Sequence, residues 1–399
     1  MTMRKLFCIA LCCASTAIVG CGGSSKNKIA GSGPNVQPIT VNAGPNGSSV
    51  NTAFISVNVC VPGSSSSCQT ISGILVDTGS FGLRILSSAL SISLPQQNAP
   101  DGNPVAECVP FANSLTWGPV ETADIQISGE TASSVPVQVL SDTAFPLPSG
   151  CKNLGLPSVD TLSTLGANGL LGVGEFVQDC GNDCTLSGPS NPGLYYECPN
   201  SNCVVTQEAL SAQVANPVAF FANDNNGVIV ELPAVNGSAA TVNGSLVFGI
   251  GTQSNNGLGS ATVYAVNSNA DITTQFGSTC VSTSPCDSFL DSGSNGIFFL
   301  DSTTTGIPAC SSGDGFYCPT TTQNLKATND GSNGTSGQVS FSVGDADAMF
   351  SNGASAYSDL AGPNPGAFDW GLPFFYGRNV FTAINGASTP AGTGPFWAY

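Results

Sequence analysis

Short apolar runs separated by turn-forming residues make up most of the chain from residue 50 onward. The runs are rich in Val and Ile and have the length and composition typical of β-strands. Only the segment Thr206–Val214 has a pattern that favours a helix, and it is short. The pattern therefore predicts an all-β protein with few short helices. The strongest strand candidates are residues 55–61, 71–79, 123–129, 134–141, 226–233, 244–251, 261–266 and 338–343.

The first 21 residues have the pattern of an export signal. Arg4 and Lys5 precede an apolar stretch, Leu6–Val19, that is too short to cross a bilayer. Residues 18–21 read Ile-Val-Gly-Cys and resemble the lipobox of bacterial lipoproteins, in which the cysteine is acylated and becomes the first mature residue. The resemblance implies a signal peptide at 1–20, a lipid anchor on Cys21 and an outer-membrane location, facing the periplasm or the cell surface. An ordinary cleaved signal is the alternative.

A stretch rich in Gly, Ser, Asn and Pro follows at residues 21–48 and predicts a flexible tether between the membrane and the folded part. Beyond Cys21 the chain has an even number of cysteines, and most lie close to another in the sequence. In an exported chain this predicts disulfides, whereas metal binding by the same cysteines is the alternative. The cysteines are Cys60, Cys68, Cys108, Cys151, Cys180, Cys184, Cys198, Cys203, Cys280, Cys286, Cys310 and Cys318.

Charge and composition exclude several function classes. The net charge is −17 with only eight Lys and Arg residues, so the chain cannot neutralise the phosphates of a nucleic acid. The chain has no His, which rules out Ser-His-Asp triads and Cys-His pairs. Acid–base chemistry must therefore use carboxylates, Tyr, Lys or Cys. We expect neither a metal nor a cofactor.

Two similar segments, far apart in the chain, carry the best candidate chemistry. Residues 73–86 read GILVDTGSFGLRIL and residues 288–300 read SFLDSGSNGIFFL. Each segment places an aspartate, Asp77 or Asp291, at the end of an apolar strand. The glycines that follow permit a tight turn close to the carboxylate, and the hydroxyls can orient it by hydrogen bonds. These supporting residues are Thr78, Gly79 and Ser80 in the first loop, and Ser292, Gly293 and Ser294 in the second.

If the two loops face each other, their carboxylates form an acid–base pair. Two such close negative charges cannot both persist, so the pair holds one proton between them. One aspartate then acts as a base on a water molecule while the other donates a proton to a carbonyl, and the pair titrates as a unit. The alternative is that Asp77 and Asp291 lie in two unrelated strand-end turns.

The two Asp-(Thr/Ser)-Gly-Ser loops resemble the catalytic loops of the pepsin-like aspartic proteases. In that family an apolar-apolar-Gly segment threads behind each loop, and residues 167–174 and 369–376 are similar to these segments. Residues 244–249 are similar to a strand near the family's lobe junction. The resemblance implies a bilobal, pepsin-like double β-barrel with an N-terminal lobe at 49–245 and a C-terminal lobe at 246–399. It also implies a monomer that binds an extended peptide or protein substrate.

Three positions differ from the usual pattern of that family. Residues 114–118 take the place of the substrate-covering flap, with Trp117 and then Gly118 where a Tyr is usual. Core or surface packing of Trp117 is the alternative. Arg84 stands where a Trp often follows the first loop. A guanidinium there predicts a lower pKa for Asp77, although a structural ion pair is the other interpretation. Asp369 stands where an apolar residue is usual. The overall form also resembles that of uncharacterised bacterial lipoproteins carrying these motifs.

Three functions are compatible with these observations. The leading hypothesis is a lipid-anchored, exported aspartic endopeptidase in which Asp77 and Asp291 activate water. The second is a non-catalytic surface or periplasmic binding protein on the same fold. The third is a structural surface protein or adhesin in which the two loops are incidental. A glycosidase is disfavoured, because the sequence lacks stacking aromatic residues near each acid.

Overall fold

The computed structural model describes residues 31–142 and 144–399. The predicted signal peptide, the lipidation candidate Cys21 and the first part of the expected tether lie outside the described residues. Within the described ranges, no helix combines the length and the apolar character needed to cross a membrane.

The structure is built mainly from strands, which confirms the all-β prediction. The first thirteen strands are β1 Val36–Val41, β2 Ala53–Cys60, β3 Cys68–Asp77, β4 Phe81–Leu86, β5 Val105–Pro110, β6 Leu115–Ile127, β7 Glu130–Leu140, β8 Gly169–Val173, β9 Tyr195–Glu197, β10 Val204–Val205, β11 Gly227–Glu231, β12 Ser238–Ala239 and β13 Val242–Phe248. All eight strongest strand candidates overlap a strand of the structure. Val and Ile favour extended backbone, in which their side chains are buried on one or both faces of a sheet.

The second half of the chain has the same character. Its strands are β14 Val263–Ala265, β15 Ile272–Gln275, β16 Cys286–Leu290, β17 Ile297–Leu300, β18 Gln323–Asp330, β19 Ser336–Val343, β20 Ala356–Tyr357, β21 Ala361–Gly362, β22 Asn364–Trp370, β23 Asn379–Ala383, β24 Ser388–Thr389, β25 Gly392–Thr393 and β26 Phe396–Ala398. The α-helices are single turns: α1 Ser149–Lys152, α2 Leu162–Leu165, α3 Ser302–Thr305, α4 Ala346–Phe350 and α5 Leu372–Phe375.

Two large sheets define the two lobes. A 15-stranded sheet runs in the order β10-β9-β5-β6-β7-β4-β8-β3-β2-β1-β13-β11-β23-β26-β14, and an added pairing of β6 with β2 closes its N-terminal part into a barrel. A seven-stranded sheet, β19-β18-β15-β16-β22-β17-β21, forms most of the C-terminal lobe. The strands β1, β13, β11, β23, β26 and β14 come from both halves of the chain and so join the lobes.

Strand β1 corrects the prediction of a tether over the whole of residues 21–48. It pairs antiparallel with β13, with Val36 opposite Val247 and Val41 opposite Val242. Ile39 and Val41 are buried in the core, so this polar-looking segment has one apolar face. The expected lobe boundary after residue 245 falls inside β13, and that strand continues through it. The predicted division of the chain therefore falls within the strands that join the two lobes.

The predicted helix Thr206–Val214 is also wrong. The segment follows β10 as a loop with one 3₁₀ turn, Leu210–Ala212. Its polar residues bond to neighbouring loops instead of to a helix: Glu208 N–H donates to Cys184 O at 2.9 Å and Gln213 Nε2 donates to Gly181 O at 2.8 Å. A short helix has little stability of its own, so these tertiary contacts decide the conformation.

Six disulfides confirm that the cysteines of the folded part are paired with one another. Five of them join residues only four to eight positions apart: Cys60–Cys68, Cys180–Cys184, Cys198–Cys203, Cys280–Cys286 and Cys310–Cys318. The sixth, Cys108–Cys151, spans 43 positions and ties strand β5 to helix α1. The prediction of disulfides between cysteines close in the sequence is therefore confirmed, and the structure shows one further, long-range disulfide.

Candidate active site

Both aspartates lie at the ends of central strands. Asp77 is the last residue of β3, and Asp291 directly follows β16. Behind the first loop β8 runs parallel to β3, with Asp77 opposite Gly172. Behind the second loop β22 runs parallel to β16, and Asp291 N–H donates to Trp370 O at 3.1 Å. The two segments expected to thread behind the loops therefore do so.

Thr78 and Ser292 lock the two loops together by reciprocal hydrogen bonds. The Thr78 N–H donates to Ser292 Oγ at 3.1 Å, and the Ser292 N–H donates to Thr78 Oγ1 at 2.9 Å. Each hydroxyl then donates across to the opposite strand, Thr78 to Leu290 O and Ser292 to Val76 O, both at 2.8 Å. Both side chains are fully buried. These four bonds fix the position of one loop relative to the other.

This lock brings the two carboxyl groups together. The carboxyl groups of Asp77 and Asp291 lie next to each other beside Gly293, and burial, followed by the charge of Asp291, raises the pKa of Asp77. A Cβ atom at Gly79 would lie 2.7 Å from Asp291 Cγ, and one at Gly293 would lie 2.6 Å from Asp77 Oδ1. Each glycine is therefore required because the carboxyl group of the opposite loop occupies the space of a side chain.

Each carboxyl group is oriented by its own loop. Oδ1 of each aspartate accepts a backbone N–H from the glycine two residues later, at 2.8 Å for Asp77 and 2.7 Å for Asp291. Oδ2 of each accepts a hydroxyl three residues later, from Ser80 at 2.5 Å and from Ser294 at 2.8 Å. The structure thus gathers all eight residues of the two loops into one site with approximate twofold symmetry.

The electrostatics favour one proton on the pair. Burial raises the pKa of Asp77 well above its usual range, and the neighbouring charge of Asp291 raises that pKa further. Asp77 is 5% exposed, whereas Asp291 is partly exposed and Gly79 is exposed to solvent. Water can therefore reach a carboxyl pair that keeps a proton at mildly acidic pH, which is the requirement for acid–base work on a bound water.

Arg84 takes part in structural ion pairs, which is one of the two interpretations of this position given by the sequence. Its guanidinium is 1% exposed and forms ion pairs with Glu107 at 3.3 Å and Asp179 at 2.8 Å. Arg84 interacts electrostatically with Asp77, but the pKa of Asp77 is raised and not lowered, because burial and the charge of Asp291 dominate at that carboxyl. Arg84 acts as the centre of a buried ion cluster that also includes Tyr195, whose hydroxyl donates to Asp179 at 2.7 Å.

The flap candidates Trp117 and Gly118 belong to the β5–β6 hairpin, but they do not form its tip. The tip is residues 111–114, where the Phe111 N–H donates to Ser114 O at 2.7 Å. Trp117 lies in the packed body of the hairpin, with its indole N–H donating to Phe145 O at 2.6 Å. Gly118 packs against the backbone of Val139. The register of the hairpin therefore places Phe111 at its tip and both Trp117 and Gly118 in its packed body.

Two further acids lie close to the pair. Ser294 Oγ is 2.6 Å from Asp369 Oδ2, so this carboxyl adjoins Asp291. Glu175, which directly follows the Gly-rich segment behind the first loop, is 2% exposed and interacts electrostatically with Asp291. Burial raises the pKa of both carboxyls well above the usual range. In the sequence Glu175 is an acid next to an apolar, Gly-rich run, and this is the signal that can identify it.

Comparisons with known proteins agree with this fold. The crystal structure of an aspartic proteinase from Irpex lacteus is similar to the chain with a TM-score of 0.52 and 16% sequence identity, covering 91% of this chain and 96% of that chain. A likeness at this identity establishes the pepsin-like fold alone. No curated protein matches the sequence. A family model described as "Protein of unknown function (DUF3443)" matches residues 31–399, and the chain therefore belongs to that family.

Proposed function

We propose that the protein is an aspartic endopeptidase that hydrolyses peptide bonds of extended substrates between its two lobes. The observation that carries this proposal is the pairing of Asp77 and Asp291 across two interlocked loops. The exclusion of His-based catalysis by composition supports it as well.

The geometry supports general acid–base catalysis by the carboxyl pair. With the proton on the more buried Asp77, Asp291 takes a proton from a water molecule that bridges the two groups. The water oxygen attacks the carbonyl carbon of the scissile bond while Asp77 gives its proton to the carbonyl oxygen. Asp291 then donates the proton that it took from the water to the leaving nitrogen, and Asp77 takes a proton from a hydroxyl of the tetrahedral species. The C–N bond breaks, the amine and the acid are released, and one proton remains on the pair. The hydrogen bonds from Ser80 and Ser294 hold both carboxyls in place during these steps.

We also propose that the protein works at the outer membrane, anchored through an acylated Cys21, in the periplasm or at the cell surface. The lipobox-like residues 18–21 and the six disulfides support an exported protein. Labelling of cells with a radioactive fatty acid, comparing the wild type with Cys21→Ala, tests the anchor. Incorporation that persists in the variant would contradict it.

Cleavage of a mixed peptide library by the purified protein, across acidic to neutral pH, tests the peptidase proposal. Replacement of Asp77 or Asp291 by Asn should each abolish cleavage, because neither variant can share a proton as the pair does. Asp183→Asn, at an exposed position, is the matched control and should cleave like the wild type. Hydrolysis that survives both active-site replacements would overturn the proposal.

A non-catalytic binding protein on the same fold is the second candidate, and the β5–β6 hairpin favours it. One edge of the hairpin pairs with β9, and Cys108 in β5 is bonded to Cys151. On the other edge Leu115 N–H donates to Pro157 O at 2.9 Å. A hairpin held on both edges restricts the opening that admits a substrate. Binding of pepstatin by the wild type, measured by calorimetry, without cleavage of any library peptide would favour this candidate.

A further inference from the structure

The two halves of the site differ at one pair of equivalent positions. In the N-terminal lobe Arg84 of β4 lies opposite Leu170 of β8. In the C-terminal lobe the equivalent positions are Phe298 of β17 and Asp369 of β22, which also lie opposite each other. The apolar residue beside the first loop is therefore replaced by a carboxyl group beside the second. The approximate symmetry of the Asp loops does not extend to the strands behind them.

Ser294 contacts the carboxyl groups of both Asp291 and Asp369. Its Oγ lies 2.8 Å from Asp291 Oδ2 and 2.6 Å from Asp369 Oδ2. A serine hydroxyl has one hydrogen and can donate to only one of these oxygens. For the second contact to be a hydrogen bond, the other carboxyl must carry a proton and donate it to the serine oxygen.

The surroundings place that extra proton on Asp369. Its Oδ1 has no hydrogen-bond partner in the described part of the chain, and the side chain is 7% exposed. A buried carboxylate with so few donors is strongly disfavoured in its charged form. Asp291 has more hydrogen-bond donors around it, because its Oδ1 accepts the Gly293 N–H at 2.7 Å and its side chain is partly open to solvent.

We propose that Asp369 is a positioning acid of the site, which donates a proton from Oδ2 to Ser294 so that Ser294 donates its own hydrogen to Asp291. This inference rests on the proposed peptidase function for its kinetic consequences, but the hydrogen-bond chain itself does not. The chain fixes the direction of the Ser294 hydroxyl toward Asp291 and so stabilises Asp291 as the ionised member of the pair. Ser80 contacts Asp77 with no equivalent second acid among the described residues.

The pH dependence follows from the groups around Asp369. The charged groups that act on Asp369 are Asp291, which follows β16, and Asp77, the last residue of β3. Both are acidic, whereas Phe298 of β17, which lies opposite Asp369, is apolar. Burial first, and Asp291 second, raise the pKa of Asp369 above its usual range. As pH rises through that value Asp369 loses its proton, the chain breaks and two adjacent carboxylates repel. The alkaline limb of activity should therefore report two ionisations, that of Asp369 and that of the Asp77–Asp291 pair.

Two replacements separate this role from packing. Asp369→Asn keeps a donor toward Ser294 but cannot titrate. It should therefore retain kcat at acidic pH, and its loss of activity at alkaline pH should report one ionisation instead of two. Asp369→Leu copies Leu170 of the other lobe and removes the donor. It should lower kcat by about 10-fold to 100-fold, the size expected when a hydrogen bond to a charged group is lost, with little change in KM.

Infrared difference spectroscopy tests directly whether Asp369 carries a proton, and the measurement does not require the protein to cleave a substrate. The band of neutral carboxyl groups near neutral pH should be weaker in Asp369→Asn than in the wild type, by one group. An unchanged band, or an alkaline limb that is identical in wild type and Asp369→Asn, overturns the inference. If the wild type cleaves no peptide, the peptidase proposal fails, and the infrared comparison still decides whether Asp369 carries the proton.

Discussion

Thr78 and Ser292 each accept the backbone N–H of the other and each donate to the strand that delivers the other's aspartate. The two residues are the contact through which the lobes share one site, since their bonds join β3 to β16 directly. Each hydroxyl donates its one hydrogen and accepts one further bond.

Replacing Thr78 by Val should therefore destabilise the protein. The substitution keeps the shape of the side chain but leaves the Ser292 N–H and the Leu290 carbonyl without their partner. Each buried group left unpaired costs about 1–3 kcal/mol of unfolding free energy. Urea denaturation of the wild type, Thr78→Val and Thr78→Ser measures the loss, and the serine variant, which keeps the hydroxyl, should lie close to the wild type. Equal midpoints for the valine and serine variants would show that the hydroxyl contributes nothing.

The buried Arg84 cluster gives a second prediction. Arg84→Met leaves Glu107 and Asp179 without their cation, and an uncompensated buried charge costs about 3–5 kcal/mol of unfolding free energy. Adding Glu107→Gln to the same variant removes one of the stranded charges and should recover part of the loss. Thermal and urea unfolding of the single and double variants checks both statements. Lys152→Met removes an exposed cation and is the control, with an expected change close to zero. A double variant less stable than Arg84→Met would contradict the ion-pair explanation.

Stability should fall as pH rises from mildly acidic to neutral. Burial raises the pKa of Glu121 and of Glu208 from 4.5 to about 7. A carboxyl whose folded-state pKa is raised favours folding fully below its unfolded value, and this contribution is lost as pH rises through the folded value. These two groups should therefore make the free energy of unfolding decrease between pH 4.5 and about 7.

Urea unfolding over that pH range, for the wild type and for Glu121→Gln with Glu208→Gln, measures the effect. The double variant cannot ionise at these positions and should show a weaker decrease. Asp183→Asn, at an exposed turn, should keep the full pH dependence of the wild type. A stability that increases with pH across this interval would contradict the assignment.

Much of the fold could be predicted from local pattern, and the failures share one physical cause. The Val- and Ile-rich runs became strands, and the two Asp loops were found from their own residues and met as expected. Strand β1 was missed because its partner β13 lies about 200 residues later, so its burial depends on pairing that no local pattern records. Thr206–Val214 failed for the same reason, since contacts with the loop around Cys184 override its weak helical preference.

The candidate site likewise has parts that local sequence predicts and parts that depend on long-range contacts. Asp77, Asp291 and their glycines and hydroxyls are encoded in two short motifs and could be identified directly. The partners of Arg84 could not, because Glu107 and Asp179 are brought to it by separate strands and loops. The residue at the flap tip depends on the register of β5 against β6, and this register puts Phe111 there and Trp117 in the packed body. The residue types near a site can thus be predicted from the sequence, whereas the distances between their side chains are known only from the fold.

The long-range disulfide Cys108–Cys151 gives the last prediction. It closes a loop with a sequence separation of 43, and Cys198–Cys203 closes one of only 5. Because a cross-link restricts the unfolded chain more when its loop is longer, the chain-entropy model gives about 4 kcal/mol for the first and about 2 kcal/mol for the second.

Replacing both cysteines of each pair by Ala, and measuring urea unfolding without reductant, compares the two losses directly. The short pair is the matched control, since Cys198 lies on the neighbouring segment of the same packed cluster as Cys108. Hydrogen exchange of the β5 and β6 amides should accelerate in Cys108→Ala/Cys151→Ala more than in Cys198→Ala/Cys203→Ala, because only the first link holds β5 to α1. Equal losses and equal exchange rates would mean that the hairpin is held by its strand pairing and not by the cross-link.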